Sequence, residues 1–301
     1  MSPVSVTYWG FLHFLIIAFF FLFAWAMLLL AKAKGKDFAK KLILALMWGN
    51  FAVHFLRQFT PYYFERWPFA LYLSSALNLC AVLVLAAPFL FMFGNALLKE
   101  YLVIMSILGG AIALLFPTTP VELGARVGDF WTFLEMVRYC LCHYILIVTA
   151  MLMLYFGFHK LNYRRLPMEG VLFLGALTII FLNKFAMWGL LKPDPAYMFF
   201  DSEFENPSYV FGIPNRLADN PILALILQVF VWPFLRYTLP NGATAYLPVV
   251  WIVPLLYLLL LPALFLVLYL PLDFKRIRSD CAFLIRKING KKKAEQTDRE
   301  K

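Results

Sequence analysis

Long apolar segments recur along the chain and constrain its fold more than any other feature. Several run for about 18 residues or more, which is enough for a helix to cross a hydrocarbon core roughly 30 Å thick. A transmembrane barrel would instead alternate apolar and polar residues along each strand. Hydrophobic residues make up 63% of the chain and charged residues only 15%, a balance that excludes a soluble domain. The sequence therefore predicts an all-α, polytopic bundle that forms one domain in the cell membrane.

The hydropathy pattern predicts about seven transmembrane helices within a domain that covers residues 1–271. The predicted ranges are 9–31, 42–60, 68–93, 101–117, 130–158, 168–191 and 247–270. A long external loop, 192–246, precedes the last helix, and a loop of this length is either a binding lid or a disordered connection. Residues 221–240 within it are apolar but contain Pro233, so we interpret them as a re-entrant or outer-surface helix.

Basic residues predict the orientation of the bundle. Most of the 27 Lys and Arg residues follow the first, third and fifth predicted helices or lie in the C-terminal tail. Because positive charge marks the cytoplasmic side of a membrane protein, we expect the N-terminus outside and the tail inside. The net charge of +10 lies in short loops and the tail, and not on a soluble basic domain, which argues against nucleic acid as a partner.

The basic tail, residues 272–301, repeats apolar residues at helical spacing between its cations. The apolar positions are Phe274, Ile277, Cys281, Leu284 and Ile288. This pattern favours a helix that lies on the inner leaflet and binds anionic lipids. A solvated tail that only fixes the orientation is the alternative.

Polar side chains within the apolar segments each require an explanation, because they are expensive in a bilayer. Counting from the helix ends brings Cys80 and His143 to the same depth near the midplane, with Asn78, Asn183 and Lys184 close to that level. A thiol in this layer is a candidate nucleophile. The structural alternative is an inert small cysteine and a histidine bonded to a neighbouring helix.

A second polar set is predicted nearer the outside. It comprises Arg57, Arg66, Glu135 and Arg138. Such a cationic rim suits the headgroup of an outer-leaflet phospholipid, with the acyl chains reaching down towards the midplane. Glu135 and Arg138 lie three residues apart on one helix face, so a purely structural ion pair is the alternative.

The chain lacks the sequence signatures of metal and cofactor sites. No spacing of His residues matches a metal site, and neither a Gly-rich phosphate loop nor a serine nucleophile elbow is present. We therefore predict neither a metal nor a cofactor. The four cysteines lie in predicted helices or in the tail, so no disulfide framework is expected.

Several short motifs resemble those of the YwaF-type integral membrane proteins over roughly residues 70–200. They are Asn78-Leu79-Cys80 followed by Pro88, Gly109-Gly110-Ala111, Leu114-Leu115-Phe116-Pro117, Cys142-His143, Asn183 and Tyr197-Met198-Phe199. Their order and spacing are similar to the family's. Two positions depart from it, because the family has His in place of Asn78 and Pro in place of Ala76.

The resemblance implies seven helices and an acyltransferase activity, since eukaryotic relatives of the family act on ether phospholipids through a membrane cysteine. It implies that Cys80 is the nucleophile and His143 the base, with Asn78, Asn183 and Lys184 as oxyanion donors or orienting groups. Phospholipids and lysophospholipids are then the expected substrates. Because Asn78 cannot take a proton, either His143 does all the base work or this branch has lost or changed its chemistry.

Two other functions are compatible with the residues. A transporter of small solutes or lipids would use the polar layer as its substrate site, although no internal repeat is detectable. A non-catalytic seven-helix protein would use the polar groups only to hold its helices together.

Overall fold

The computed structural model describes residues 6–122, 124, 128–191, 196–203, 206–214 and 220–299. Its helices are α1 (Phe11–Lys34), α2 (Lys36–Leu56), α3 (Pro61–Phe64), α4 (Phe69–Leu73), α5 (Leu79–Phe93), α6 (Ala96–Leu115), α7 (Thr118–Glu122), α8 (Phe130–Tyr155), α9 (Leu166–Leu191), α10 (Pro221–Phe230), α11 (Ile252–Leu272) and α12 (Phe274–Arg299). Strands β1 (Arg236–Thr238) and β2 (Thr244–Tyr246) form an antiparallel hairpin.

Within these described residues, six helices are long and apolar enough to cross a membrane, namely α1, α2, α6, α8, α9 and α11. The predicted all-α polytopic bundle is thereby confirmed, while its orientation stays a prediction. Two helices begin about five residues or more earlier than predicted, for local reasons. Gly35 has a φ of 87°, which ends α1 and lets α2 start at Lys36. The Asn95 side chain accepts from the N–H of Leu98 at 3.0 Å and so caps α6.

Helices α6 and α8 form the centre of the bundle. Half of the spanning part of α6 and 61% of that of α8 are buried, against 11% for α1 at the periphery. Gly110 allows the close approach of α6 to α8, since a Cβ there would stand 2.9 Å from the carbonyl oxygen of His143. Such small residues are how helices pack closely in lipid.

The third predicted helix, 68–93, is in fact two helices, α4 and α5, with residues 74–78 unwound between them. In the break, side chains form hydrogen bonds with backbone groups that a continuous helix would pair with each other. The Ser75 hydroxyl donates to the carbonyl of Tyr72 at 2.6 Å, and the Asn78 side chain accepts from the N–H of Ala81 at 2.9 Å. Ser and Asn offer the backbone an alternative to helix in this way. The 15 residues of α5 span only about 22 Å.

Helix α11 is irregular because of its prolines. Two π-helical turns, Leu256–Leu260 and Phe265–Tyr269, interrupt it. Each contains the residue four positions before a proline, Pro262 or Pro271, whose ring would clash with that carbonyl in a regular α-helix. The wider turns accommodate the missing hydrogen bonds.

The long loop is largely folded where the structure describes it; residues 192–195, 204–205 and 215–219 lie outside the described part. Phe199 and Phe211 are buried against the bundle. Helix α10 has 10 residues and spans about 15 Å, too short to cross the bilayer. Its apolar residues lie on both its buried and its exposed sides, as Leu227 and Leu225 illustrate.

The tail forms one long helix, α12, which is fixed to the turn between α8 and α9. The Asp280 carboxylate accepts from Arg164 Nε at 2.9 Å and Nη2 at 2.6 Å, and from the Tyr163 hydroxyl at 2.5 Å. The Asp273 carboxylate accepts from the backbone N–H of Tyr163 at 3.1 Å. Of the predicted apolar positions, Ile277 is buried. The others are exposed, namely Phe274, Cys281, Leu284 and Ile288, and Cys281 is a free thiol.

Candidate functional site

Cys80 is the second residue of α5. It therefore lies in the first turn of this helix, whose N-terminus is inside the bundle. The Asn78 side chain bonds the N–H of Ala81, and the N–H of Leu79 donates to the Ser208 hydroxyl at 3.0 Å. Among the described residues, the N–H of Cys80 itself has no hydrogen-bond acceptor. Helix N-termini carry free donors and partial positive charge, which favours a thiolate and a neighbouring oxyanion.

The Cys80 thiol faces α6 at a glycine. A Cβ on Gly109 would stand 3.7 Å from the sulfur, an ordinary van der Waals contact, so the thiol packs closely against α6 at this position. The next residue, Gly110, contacts α8 at the carbonyl of His143. Helix α6 therefore contacts both the α5 segment that carries Cys80 and the α8 segment that carries His143, and among the described residues the thiol and the imidazole make no hydrogen bond to each other.

His143 is buried and held by its own helix. Its Nδ1 lies 2.7 Å from the carbonyl oxygen of Tyr139, and the two rings are 4.4 Å apart. Because a carbonyl can only accept, Nδ1 carries the proton of the neutral ring. Nε2 then has a free lone pair and makes no hydrogen bond to another described residue. This tautomer is the one that a general base requires.

Each of the residues predicted as oxyanion donors or orienting groups has contacts elsewhere in the bundle, and their predicted roles stay predictions. Asn78 caps α5, and Asn183 Nδ2 donates to the Ser75 hydroxyl in the break at 2.8 Å. The Lys184 ammonium lies in an aromatic cage, 4.5 Å from the ring centre of Phe211 and 5.5 Å from that of Phe199. Lys184 therefore joins α9 to the long loop through cation–π contacts. Tyr197, in the same loop, has a side chain outside the described part.

Three of the four predicted rim residues come together between α2 and α8. The Glu135 carboxylate accepts from Arg138 Nε at 2.7 Å and also bonds Arg138 Nη2. Arg57 lies above the Tyr63 ring at 5.2 Å, and its Nε is buried without a hydrogen-bond partner among the described residues. Arg66 is exposed on the segment that follows α3 and is not among the residues around this cluster's cavity.

Tyr63 is a member of this cluster that the sequence did not suggest. Its hydroxyl donates to Glu135 at 2.8 Å. Burial raises the pKa of Tyr63 to about 12, and so keeps the hydroxyl protonated and able to donate. The sequence also did not suggest Ser208, whose hydroxyl contacts the N-terminus of α5. Both contacts were missed because they join residues that are far apart in the chain.

A cavity of about 310 Å³ opens beside the cluster. Its walls are largely apolar and include Val53, Leu56, Trp131, Leu134, Val137 and Leu141, while Arg57, Glu135 and Arg138 form its polar side. Arg138 also reaches towards Cys142, with Nη1 3.9 Å from the sulfur. The arrangement combines an apolar wall with an excess of positive charge, which suits an anionic amphiphile.

The family model of TMEM164 matches residues 5–239. The chain belongs to the TMEM164 family. The match in this TMEM164-family protein includes Cys80, His143 and the cavity, and it ends before α11. No curated protein and no solved structure matches the chain. The family and the apolar helices establish a multi-pass membrane protein, while the relation to YwaF-type proteins stays a prediction.

Proposed function

We propose that this protein is a phospholipid acyltransferase with Cys80 as its nucleophile. The observation that carries the proposal is the position of Cys80 in the first turn of a helix that begins inside the bundle, with its own N–H unbonded. Cysteine nucleophiles are activated at helix N-termini. The resemblance to YwaF-type proteins supports the same assignment.

The reaction has two steps. His143 Nε2 takes the thiol proton, and the Cys80 sulfur attacks the carbonyl carbon of a phospholipid acyl ester. The N–H of Cys80 stabilises the oxyanion, and the C–O bond breaks as the imidazolium protonates the leaving lysophospholipid alcohol. A second lysophospholipid then gives its hydroxyl proton to His143 and attacks the thioester. The new ester forms, the C–S bond breaks, and the thiolate recovers the proton.

The cavity between α2 and α8 is the proposed binding site for the phospholipid. Its apolar walls would hold the upper acyl chain, and Arg57 and Arg138 would hold the phosphate. Glu135 reduces the charge of the pair and fixes Arg138, so that Arg57 is the cation most available to a ligand. Arg66 is exposed and does not line the cavity, so it would contact a lipid headgroup only at the outer edge of the site.

A thioester trap tests the chemistry. Purified protein is incubated with a phospholipid that carries a labelled acyl chain, and label sensitive to hydroxylamine is measured. We expect label on the wild type, none on Cys80→Ser, and slow formation and turnover on His143→Ala. Cys140→Ser removes another thiol of the bundle and should keep the label. Label that persists in Cys80→Ser, or disappears equally in Cys140→Ser, would exclude Cys80 as the nucleophile.

The break between α4 and α5 also favours a second candidate. Transporters bind substrates at helices that are interrupted within the membrane, where free backbone groups face the site. A transporter would move a solute or a lipid across vesicles without forming a thioester. Flux that survives Cys80→Ser, together with the absence of any acylated wild-type protein, would favour this function over acyl transfer.

A further inference from the structure

A second cavity, of about 390 Å³, lies at the end of the bundle from which α12 extends. It is bordered by the start of α6 and by the turn between α8 and α9. Its charged and polar lining residues are Lys99, His159, Lys160 and Arg165. This cavity is at the opposite end of α6 and α8 from the cluster of Arg57 and Glu135.

The charge of this cavity is positive. Its nearest carboxylate, Glu100, is fully buried and already accepts from the N–H of Asn162 at 2.7 Å, from Arg165 Nη1 at 2.5 Å and from the Tyr269 hydroxyl at 3.0 Å. Glu100 is thus committed to holding the helix ends together. Lys99 and Lys160 have no such carboxylate among the ion pairs of the described residues. Lys36 adds a further cation over the Phe158 ring, which also lines the cavity.

The start of α6 provides directional donors for an anion. The cavity includes Ala96, the first residue of the 20-residue helix α6, whose N-terminus carries partial positive charge. His159 is 6% exposed, lines the cavity, and has an Nε2 atom without a hydrogen bond. That atom lies 3.4 Å from a Glu100 carboxylate oxygen, so it is directed at Glu100 and not at an anion in the cavity.

The exposed aromatic residues beside the cavity indicate that the anion belongs to a lipid. Phe93, which ends α5 just before the cavity, is 79% exposed, and Tyr155 at the end of α8 is 55% exposed. Both belong to the apolar surface of the bundle, so the cavity lies where that surface meets a charged edge. An anionic lipid would place its phosphate in the cavity and its chains along these rings.

We propose that this cavity binds the phosphate group of an anionic phospholipid of the leaflet next to α12. The proposal does not depend on acyl transfer, since the cavity shares no residue with the thiol site. Basic pockets between transmembrane helices are a common place for such headgroups. Binding there would hold the ends of α6 and α8 together with the turn that anchors the tail.

Binding of phosphatidylglycerol to the full-length protein tests the proposal. Native mass spectrometry would titrate phosphatidylglycerol against protein in neutral detergent, for the wild type and for a Lys99→Gln/Lys160→Gln variant. Each membrane-facing cation contributes about fivefold to the binding constant, so we expect roughly 25-fold weaker binding in the double variant. Arg286→Gln/Lys287→Gln in α12 removes the same charge from exposed positions and should bind as the wild type does.

Three outcomes decide between the possibilities. Weaker binding confined to the Lys99 and Lys160 variant supports the lipid site. Equal weakening in the two double variants means that only overall charge matters and overturns it. Saturable binding of inorganic phosphate without binding of phosphatidylglycerol assigns the site to a soluble phosphate and overturns the lipid source. Thermal unfolding of the variants shows whether they are folded, and Cys80→Ser should bind the lipid normally.

Discussion

The hydroxyl oxygen of Ser208 accepts a 3.0 Å hydrogen bond from the backbone nitrogen of Leu79, the first residue of α5. The contact joins the long loop to the helix that carries Cys80. Ser208 has a φ of 60°, a conformation that residues other than glycine rarely adopt, so the packing of the loop holds it there. The loop thereby covers the end of α5 at which we propose that the thiol reacts.

Ser208→Ala should loosen this cover. The variant loses one hydrogen bond and leaves the Leu79 N–H unpaired, which we expect to lower the free energy of unfolding by about 1 kcal/mol. Modification of Cys80 by a membrane-permeant maleimide should become faster, as followed by mass spectrometry. Thr238→Ala in the exposed part of β1 is the control. Unchanged reactivity of Cys80 in Ser208→Ala would show that the loop does not restrict access to the thiol.

Asn78→Ala should affect both the stability of α5 and the chemistry of Cys80. The loss of an N-cap costs about 1 kcal/mol, and fraying of the first turn would misdirect the thiol and its N–H. We expect slower formation of the labelled thioester, with recovery in Asn78→Ser, which keeps a capping oxygen. Asn95→Ala removes the equivalent cap from α6 and should lower stability without slowing the thioester. Equal slowing in both variants would attribute the effect to stability alone.

The long helices could be predicted from the sequence because a continuous apolar run is a local property. The break in the third helix was not predicted, although Ser74, Ser75 and Asn78 precede the apolar run of α5 and are residues that end or cap helices. The hairpin was missed too, although its turn contains Asn241-Gly242, a common hairpin signal. In both cases the strong apolar pattern around the signal outweighed it.

The candidate site was only partly predictable, for a different reason. Depth along a helix places Cys80 and His143 at one level, which stays a prediction, whereas spacing on α8 correctly paired Glu135 with Arg138. Contacts such as that of Tyr63 with Glu135 depend on which helices are neighbours. One sequence alone contains no measure of that proximity.

The glycine pair of α6 gives a direct comparison of two neighbouring positions. A Cβ at Gly110 would stand 2.6 Å from Ile147 Cγ1 and 2.9 Å from the carbonyl of His143, so Gly110→Ala should destabilise the protein by about 1–3 kcal/mol. A Cβ at Gly109 would make ordinary contact with the Cys80 sulfur, and Gly109→Ala should fold normally. Thermal unfolding in detergent compares them. Equal melting temperatures would show that α6 and α8 do not approach this closely.

Acid should release the tail helix from the bundle. Hydrogen bonds from Arg164 and then Tyr163 hold the pKa of Asp280 below its ordinary value. A carboxyl with a lowered pKa in the folded state contributes stability that is complete above its ordinary pKa and is lost as the pH falls through the lowered one. The contact should therefore be constant from neutral pH down to about pH 5 and disappear in stronger acid.

Distance measurements between spin labels on α12 and α9 would follow this release. Asp280→Asn removes the charge at every pH and should give the acid-type distance distribution at neutral pH. Asp298→Asn, near the far end of α12, is the charge-matched control and should keep the acid transition. A transition of the same size in Asp280→Asn would mean that another group controls the docking of the tail.

The Glu135 cluster should behave as one coupled unit. Tyr63→Phe removes a single hydrogen bond, which we expect to cost about 1 kcal/mol. Glu135→Gln leaves the Arg138 guanidinium buried without its counter-charge and should cost about 3–5 kcal/mol. Both single variants weaken the same hydrogen bond from Tyr63 to the Glu135 carboxylate, so the loss in the double variant should be smaller than the sum by at least about 0.5 kcal/mol.

The pH dependence of this double-mutant cycle distinguishes a hydrogen bond from a charge repulsion. Because burial raises the pKa of Tyr63 to about 12, its hydroxyl remains a donor to Glu135 at neutral and mildly alkaline pH. The coupling energy from unfolding at pH 7 and pH 9 should then be the same. Tyr155→Phe, an exposed tyrosine on α8, serves as the uncoupled control. A coupling that falls between these two pH values would show that Tyr63 ionises there, and that its hydroxyl does not hold Glu135 in place beside Arg138.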